Sequence, residues 1–263
     1  MKIPITMCHG ISATGDHPLS AEHFNLLIGI AADLGFTSID YDDLAAWRGG
    51  SGTLPAKPVM FDFDHPVKSM RYEVHDVLSR HGFTGNLFIN TGPLEQDNPD
   101  DDNTLTWTEV RELVDLGWHI GAHTVTHPNL SELSREDPQG EKLAWELEQC
   151  DRTLKEQAGV EARDFAFTGT SWSSVAEKQV QRRYRFGRLW IVGSHYQADG
   201  ERIRYAELAG VAGTDEADGG PPLAARYITR ETPAHRLPSM EIQTSLIHQP
   251  ERFRRYLEGA MEY

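Results

Sequence analysis

The sequence predicts a parallel α/β fold, either a barrel or an open sheet. Three observations carry this. Strand-like and helix-like segments alternate with little interruption over most of the chain. Strand candidates such as residues 58–63 are continuous apolar runs, as strands covered on both faces should be. The length, 263 residues, is short for two ordinary enzyme domains and suits one large domain, taken as residues 1–263.

The first strand is expected over residues 3–7, ending at Cys8-His9-Gly10. Ser20 caps a helix whose Phe24, Leu27, Ile28, Ala31 and Leu34 keep helical spacing, and Gly35 stops it. Residues 36–39 read as a short strand, 42–47 as a small helix with an acidic start, and 49–57 as a connector rich in glycine and proline. After the strand at 58–63, Ser69 is expected to open a helix carrying Tyr72, Val77 and Leu78 that ends at His81-Gly82. A strand over 86–90 leads into an acidic loop, 92–103, expected to be exposed. Thr106 and Glu109 spell a capping box for a helix through Leu113 and Val114, and 118–122 is the next strand. Residues 140–157 form a long amphipathic helix with Leu143, Leu147, Cys150 and Leu154 in register. A strand at 164–167, a helix at 173–185 and a strand at 188–192 follow. From 194 to 222 the pattern fades into glycine-rich irregular sequence. A late strand is expected at 241–247, and Pro250 starts a terminal helix bearing Phe253, Tyr256, Leu257 and Met261.

Hydrophobic content of 39% and charged content of 25% are globular values. A net charge of −15 argues against nucleic acid or an anionic membrane as partner, because both call for a basic face. Cys150 falls on the apolar stripe of its helix and reads as a buried, reduced thiol, and nothing demands an oxidising compartment. No stretch approaches the ~18 apolar residues of a membrane span, and the amino terminus has no long apolar leader, so the expected location is the cytoplasm.

The chemistry gathers at two strand ends. In Trp118-His119-Ile120-Gly121-Ala122-His123-Thr124-Val125-Thr126-His127-Pro128 a strand runs out into two histidines four apart. Imidazoles at i and i+4 share one face of a helical turn and can close on one metal ion. Upstream, Val59-Met60-Phe61-Asp62-Phe63-Asp64-His65 places two carboxylates on the same side of a strand. In a parallel α/β fold the carboxyl ends of strands meet at one rim, so the distance in sequence is no obstacle. One carboxylate with two imidazoles leaves a coordination position open, which is the pattern of catalytic zinc. Such an ion lowers the pKa of a water to about 7 and polarises a carbonyl, and an unligated carboxylate beside it serves as general base. The layout suits hydrolysis of an amide or ester. The blander alternatives are surface or helix-capping histidines and a strand-end turn that caps the next helix.

These residues resemble the NodB-homology, or polysaccharide deacetylase, group of carbohydrate esterases (family 4). His123-Thr124-Val125-Thr126-His127-Pro128 is similar to that family's H-T-x-T-H-P motif, and Phe61-Asp62-Phe63-Asp64 to its first, aspartate-bearing motif. His9, the helix from Ser20, and Tyr41-Asp42-Asp43-Leu44 with the connector after it resemble the poly-N-acetylglucosamine deacetylase branch. The resemblance is good over residues 1–135, weaker to 192 and poor beyond.

The resemblance implies a distorted (β/α) barrel and a divalent metal, zinc first, with nickel or cobalt as alternatives. It implies removal of acetyl groups from N-acetylated or O-acetylated sugars, the substrate being an acetylated amino sugar or glycan. Under it Asp64, His123 and His127 are the metal ligands and Asp62 is the base. A gapless alignment through Lys57-Pro58-Val59 and Lys68-Ser69 instead makes Asp64 the base and His65 the ligand, and this register stays open. Leu246-Ile247-His248 resembles the motif that supplies a general-acid histidine, with Gln249 where an aspartate is usual. Phe165-Ala166-Phe167-Thr168-Gly169-Thr170 stands in place of the third motif and lacks its proline and tyrosine. Two other readings share the barrel: a hydrolase of a small non-sugar amide, and a degenerate barrel that only binds carbohydrate.

Overall fold

In the computed structural model, which describes residues 1–14, 18–95, 103–169, 171–191, 203–204, 222–223, 227–243 and 248–262, the alternation closes into a barrel. Strand β1 (Ile5–Cys8) is followed by helix α1 (Ala21–Asp33), β2 (Thr37–Ser38), α2 (Tyr41–Arg48), β3 (Pro58–Asp64), α3 (Glu73–Arg80), β4 (Asn86–Ile89), the single turn α4 (Gly92–Glu95) and α5 (Trp107–Asp115). Next come β5 (His119–Ala122), α6 (Leu130–Glu136), α7 (Glu141–Ala158), β6 (Asp164–Ala166), α8 (Ser174–Gln181) and β7 (Phe186–Ile191). The short strands β8 (Ile203–Arg204) and β9 (Pro222–Leu223), then β10 (Leu237–Glu241) and α9 (Pro250–Met261), complete the order.

Seven of these strands pair in parallel around a closed ring in the order β1-β10-β7-β6-β5-β4-β3. β1 shuts it, with Ile5 opposite Met60 of β3 on one side and Thr6 opposite Met240 of β10 on the other. β2 extends the start of β3, while β8 and β9 form a separate antiparallel pair. The distorted (β/α) barrel is therefore the architecture formed, and the open sheet is not.

Strand alternation sorts the core into an inside and an outside. Ile5, Met60, Phe88, Ala166 and Leu237 pack together with Tyr41 from α2, filling the ring. The intervening Phe61, Phe63, Leu87, Ile89 and Phe165 face outward onto Phe24, Leu27, Val74, Leu113 and Leu147 of the surrounding helices. Local signals set the helix ends. Ser20 accepts the His23 N–H at 3.1 Å, and Thr106 with Glu109 closes a reciprocal capping box. No helix among the described residues is long and apolar enough to cross a membrane.

Three elements depart from the sequence reading. Ser69 does not cap α3; it lies in a 3₁₀ turn, and its hydroxyl accepts the Ile11 N–H at 3.0 Å. The last barrel strand is Leu237–Glu241, earlier than the expected 241–247, of which 244–247 fall outside the described residues. Pro238 hides it, because proline within a run argues against a central strand. α6 is a helix the reading does not contain, started by the Asn129 side chain, which accepts the N–H groups of Ser131 and Glu132.

Gly121 of β5 has no room for a side chain between Phe88 of β4 and Asp164 of β6. A Cβ there would stand 2.5 Å from the Phe88 ring and 3.0 Å from the Asp164 carbonyl oxygen. Gly121→Ala is expected to destabilise the barrel by about 1–3 kcal/mol through overpacking. Denaturant unfolding checks this; an unchanged midpoint would mean that Phe88 moves aside freely.

Candidate metal centre at the barrel rim

β3 and β5 are neighbours of β4, so their carboxyl ends lie one strand apart at the same rim. His65 follows the last residue of β3, and His123 the last residue of β5. His65, Thr124 and His127 have φ of 70°, 71° and 57°, a left-handed conformation rare for residues with a Cβ, and rarest for β-branched threonine. At His65 the turn breaks strand alternation, so that the residue after inward-facing Asp64 also reaches the rim. The ligand atoms of His65, His123 and His127 all lie within 4.8 Å of one another. Tetrahedral zinc with ~2.0–2.1 Å bonds wants its nitrogens about 3.3 Å apart, a spacing that small side-chain rotations reach.

The rings are held by their far nitrogens. His123 Nδ1 lies 2.8 Å from the Ala166 carbonyl oxygen, and His65 Nδ1 lies 2.9 Å from Asn90 Oδ1. Each oxygen accepts, so each Nδ1 carries the proton and Nε2 keeps the lone pair. His123 Nε2 is buried and has no hydrogen-bond partner. Burial pushes the His123 imidazole well below its usual range. Burial, helped by the charge of His65, brings His127 down to about 4. Both are neutral at pH 7, as a metal ligand must be.

The loop carrying His127 is clamped from behind. Glu146 of α7, buried beneath it, accepts the N–H groups of Val125 and Thr126 at 2.8 and 2.9 Å and the Thr126 hydroxyl at 2.6 Å. Thr124 Oγ1 accepts the His127 N–H at 3.0 Å. Together these bonds hold a left-handed turn that would otherwise relax.

Below the histidines lies a buried ion network. Arg188 of β7 is wholly buried; one Nη donates to Asp64, and its Nε lies 3.4 Å from Asp62. Asp62 also accepts the Tyr41 hydroxyl at 2.6 Å and the Asn86 amide at 3.0 Å. Burial raises the Asp62 carboxyl to about 6, although Arg188, Tyr41 and Asn86 pull it back. For Asp64 burial also raises the pKa, but Arg188, then His123, His9 and His65, outweigh it and hold the group below the usual carboxylate range. Asp64 is an ionised carboxylate beside the imidazoles; Asp62 is a deeper one. His9, leaving β1, stacks on His65 with centroids 5.2 Å apart, while its Nδ1 lies 3.0 Å from Gln243 Oε1.

A family model described as polysaccharide deacetylase matches residues 51–186, which contain β3, β4, β5 and all three histidines. The chain belongs to the polysaccharide deacetylase family. That makes it a hydrolase of the carbohydrate-deacetylase class. A search of curated proteins finds no match to the sequence of this deacetylase. Solved structures share its fold. The Streptococcus pyogenes deacetylase PplD, in complex with acetate, aligns over 100% of this chain and 99% of its own at 16% identity, with a TM-score of 0.73. IcaB from Ammonifex degensii aligns over 99% and 97% at 15% identity, TM-score 0.70. A de-N-acetylase from Aggregatibacter actinomycetemcomitans aligns over 72% and 88% at 14% identity, TM-score 0.63.

Within this deacetylase the residues singled out from sequence are placed as follows. His123 and His127 come together, and their third partner is His65; Asp64 stands beside them, paired with Arg188. Asp62 is held by Tyr41, Asn86 and Arg188. His248 Nδ1 lies 2.9 Å from the Ile242 carbonyl oxygen, and its ring packs on His23 at 4.3 Å. The sequence reading gives no role to Arg188, Glu146 or Asn90. Glu146 had a signal, being a charge on the apolar stripe of the helix at 140–157; Arg188 stood at the first position of the strand expected at 188–192 and falls inside β7 only in the structure.

Removing Arg188 would leave two buried carboxylates without their cation. Arg188→Met is expected to cost about 3–5 kcal/mol of stability, read from denaturant unfolding. A variant within about 1 kcal/mol of the wild type would mean that water reaches both acids readily.

Proposed function

We propose that this deacetylase is a metal-dependent amidohydrolase that removes acetyl groups from an N-acetylated amino-sugar substrate. The observation that carries the reading is the convergence of three imidazole ligand atoms at one barrel rim with an ionised carboxylate beside them. His65, His123 and His127 would hold the cation, with zinc favoured over nickel or cobalt because three nitrogens and an open position suit it. This assignment puts His65 in the ligand role first given to Asp64, and Asp64 in the base role first given to Asp62. When bound, such an ion supplies a Lewis acid for the acetyl carbonyl and lowers the pKa of a water to about 7.

The chain's own residues then divide the proton work. Asp64, kept ionised by Arg188, accepts the proton of the attacking water. Asp62, two residues deeper, supports Arg188 from its other side. His9, stacked on His65 from the β1 exit, is placed to donate a proton to the leaving amine nitrogen as the C–N bond breaks. His248 stays the alternative proton donor: its Nδ1 lies on the Ile242 carbonyl oxygen, the arrangement that at His123 leaves Nε2 available. Support for an N-acetyl substrate comes from the resemblance to the poly-N-acetylglucosamine branch and from the fold shared with a de-N-acetylase.

Acetate release from chito-oligosaccharides, with acetylated xylan as the O-acetyl comparison, tests the reading in zinc-supplemented protein. Asp64→Asn should lose about 10²–10⁴ in rate with zinc retained. Asp62→Asn should keep the zinc and lose less. His65→Ala should lose the metal; if it binds zinc as tightly as wild type, the ligand role returns to Asp64. Sugar binding without acetate release from either substrate would make the protein a binding barrel.

A further inference from the structure

Of the two ring anchors at the centre, one is backbone and one is a side chain. The His123 ring leans on the Ala166 carbonyl oxygen, which every sequence would supply. The His65 ring leans on Asn90 Oδ1, which only this residue supplies. Asn90 is buried at the end of β4, on the inward parity of Asn86 and Phe88, so strand geometry delivers its amide to the rim. A histidine can offer either nitrogen, and the bond made by one decides which remains for a metal. His65 stands in a left-handed turn at the strand exit, so its backbone alone does not fix the ring.

We propose that Asn90 is the positioning residue that makes His65 a ligand. Its oxygen accepts the Nδ1 proton, selects the tautomer with the lone pair on Nε2, and aims that nitrogen at the point shared with His123 and His127. This rests on the three-histidine reading above and adds to it a dependence confined to one ligand.

The test is zinc affinity of the full chain, measured by competition with a chromogenic chelator, with melting of the metal-free proteins as the folding control. Asn90→Ala should weaken zinc about 10–100-fold, the usual effect of losing the group behind a ligating histidine. Asn90→Asp keeps an acceptor and should match or exceed the wild type. In a His65→Asp background the ligand has no second ring nitrogen to anchor, so adding Asn90→Ala should change affinity by less than about threefold.

Wild type that binds no zinc would sink the metal reading, and this inference with it. Wild type that binds while Asn90→Ala binds equally well would sink this inference alone. So would an Asn90→Asp variant as weak as Asn90→Ala, or a loss of the same size in the His65→Asp background, since either would give Asn90 a merely structural part.

Discussion

Arg188 is the interaction on which the rim depends. A barrel interior is a poor place for two carboxylates, each of which costs several kcal/mol to strip of water when unpaired. Asp62 and Asp64 face the same interior because they lie two apart on β3, and Arg188 enters from β7 to meet both. The Tyr41 hydroxyl and the Asn86 amide complete the satisfaction of Asp62. The result is asymmetric. The deeper acid is pushed up by burial and the shallower one is held down by the guanidinium and the imidazoles. A carboxylate that stays charged at neutral pH inside a desolvated interior needs such a partner, and Arg188 supplies it from a fixed place in the barrel wall.

Much of the fold was legible because its signals are local. Ser20, Thr106 and Glu109 cap the helices they were expected to cap, and the apolar runs at 58–63 and 86–90 are strands. What failed was tertiary override. Ser69 has the sequence of a cap and the contacts of a loop tether, since Ile11, far away in the chain, offers it a better donor. Pro238 reads as a strand breaker, yet it pairs in register with Leu189 between two barrel neighbours.

For the candidate site, the sequence left one choice of register open, and the three-histidine reading proposed above takes the second. Spacing could say that Asp62 and Asp64 share a face, and it could not say how deep each lies. At ~3.3 Å per residue Asp62 stands about 6.6 Å below Asp64, which takes it from the rim to the level of Tyr41 and Asn86. By strand alternation alone, the residue after an inward-facing Asp64 points outward. The left-handed φ at His65 cancels that rule, and no residue type in Asp64-His65-Pro66 announces it.

The same device recurs at the other exit, where Thr124 and His127 are left-handed too. Each such residue costs of order 1–3 kcal/mol, so three of them at one rim need bonds that make relaxation worse than strain. Glu146 supplies those bonds for the β5 loop through a carboxylate taking three donors. At β3 the turn is held differently, by the His65 N–H donating to the Phe88 carbonyl at 3.0 Å and by the ring donating to Asn90. β4 therefore holds the ring and the backbone of His65, while α7 holds the loop that runs from His123 to His127. With the Ala166 carbonyl of β6 behind the His123 ring, supports from three elements fix imidazoles that belong to no common helix or strand, and the vertex they enclose is set by the barrel's closure and not by either motif alone.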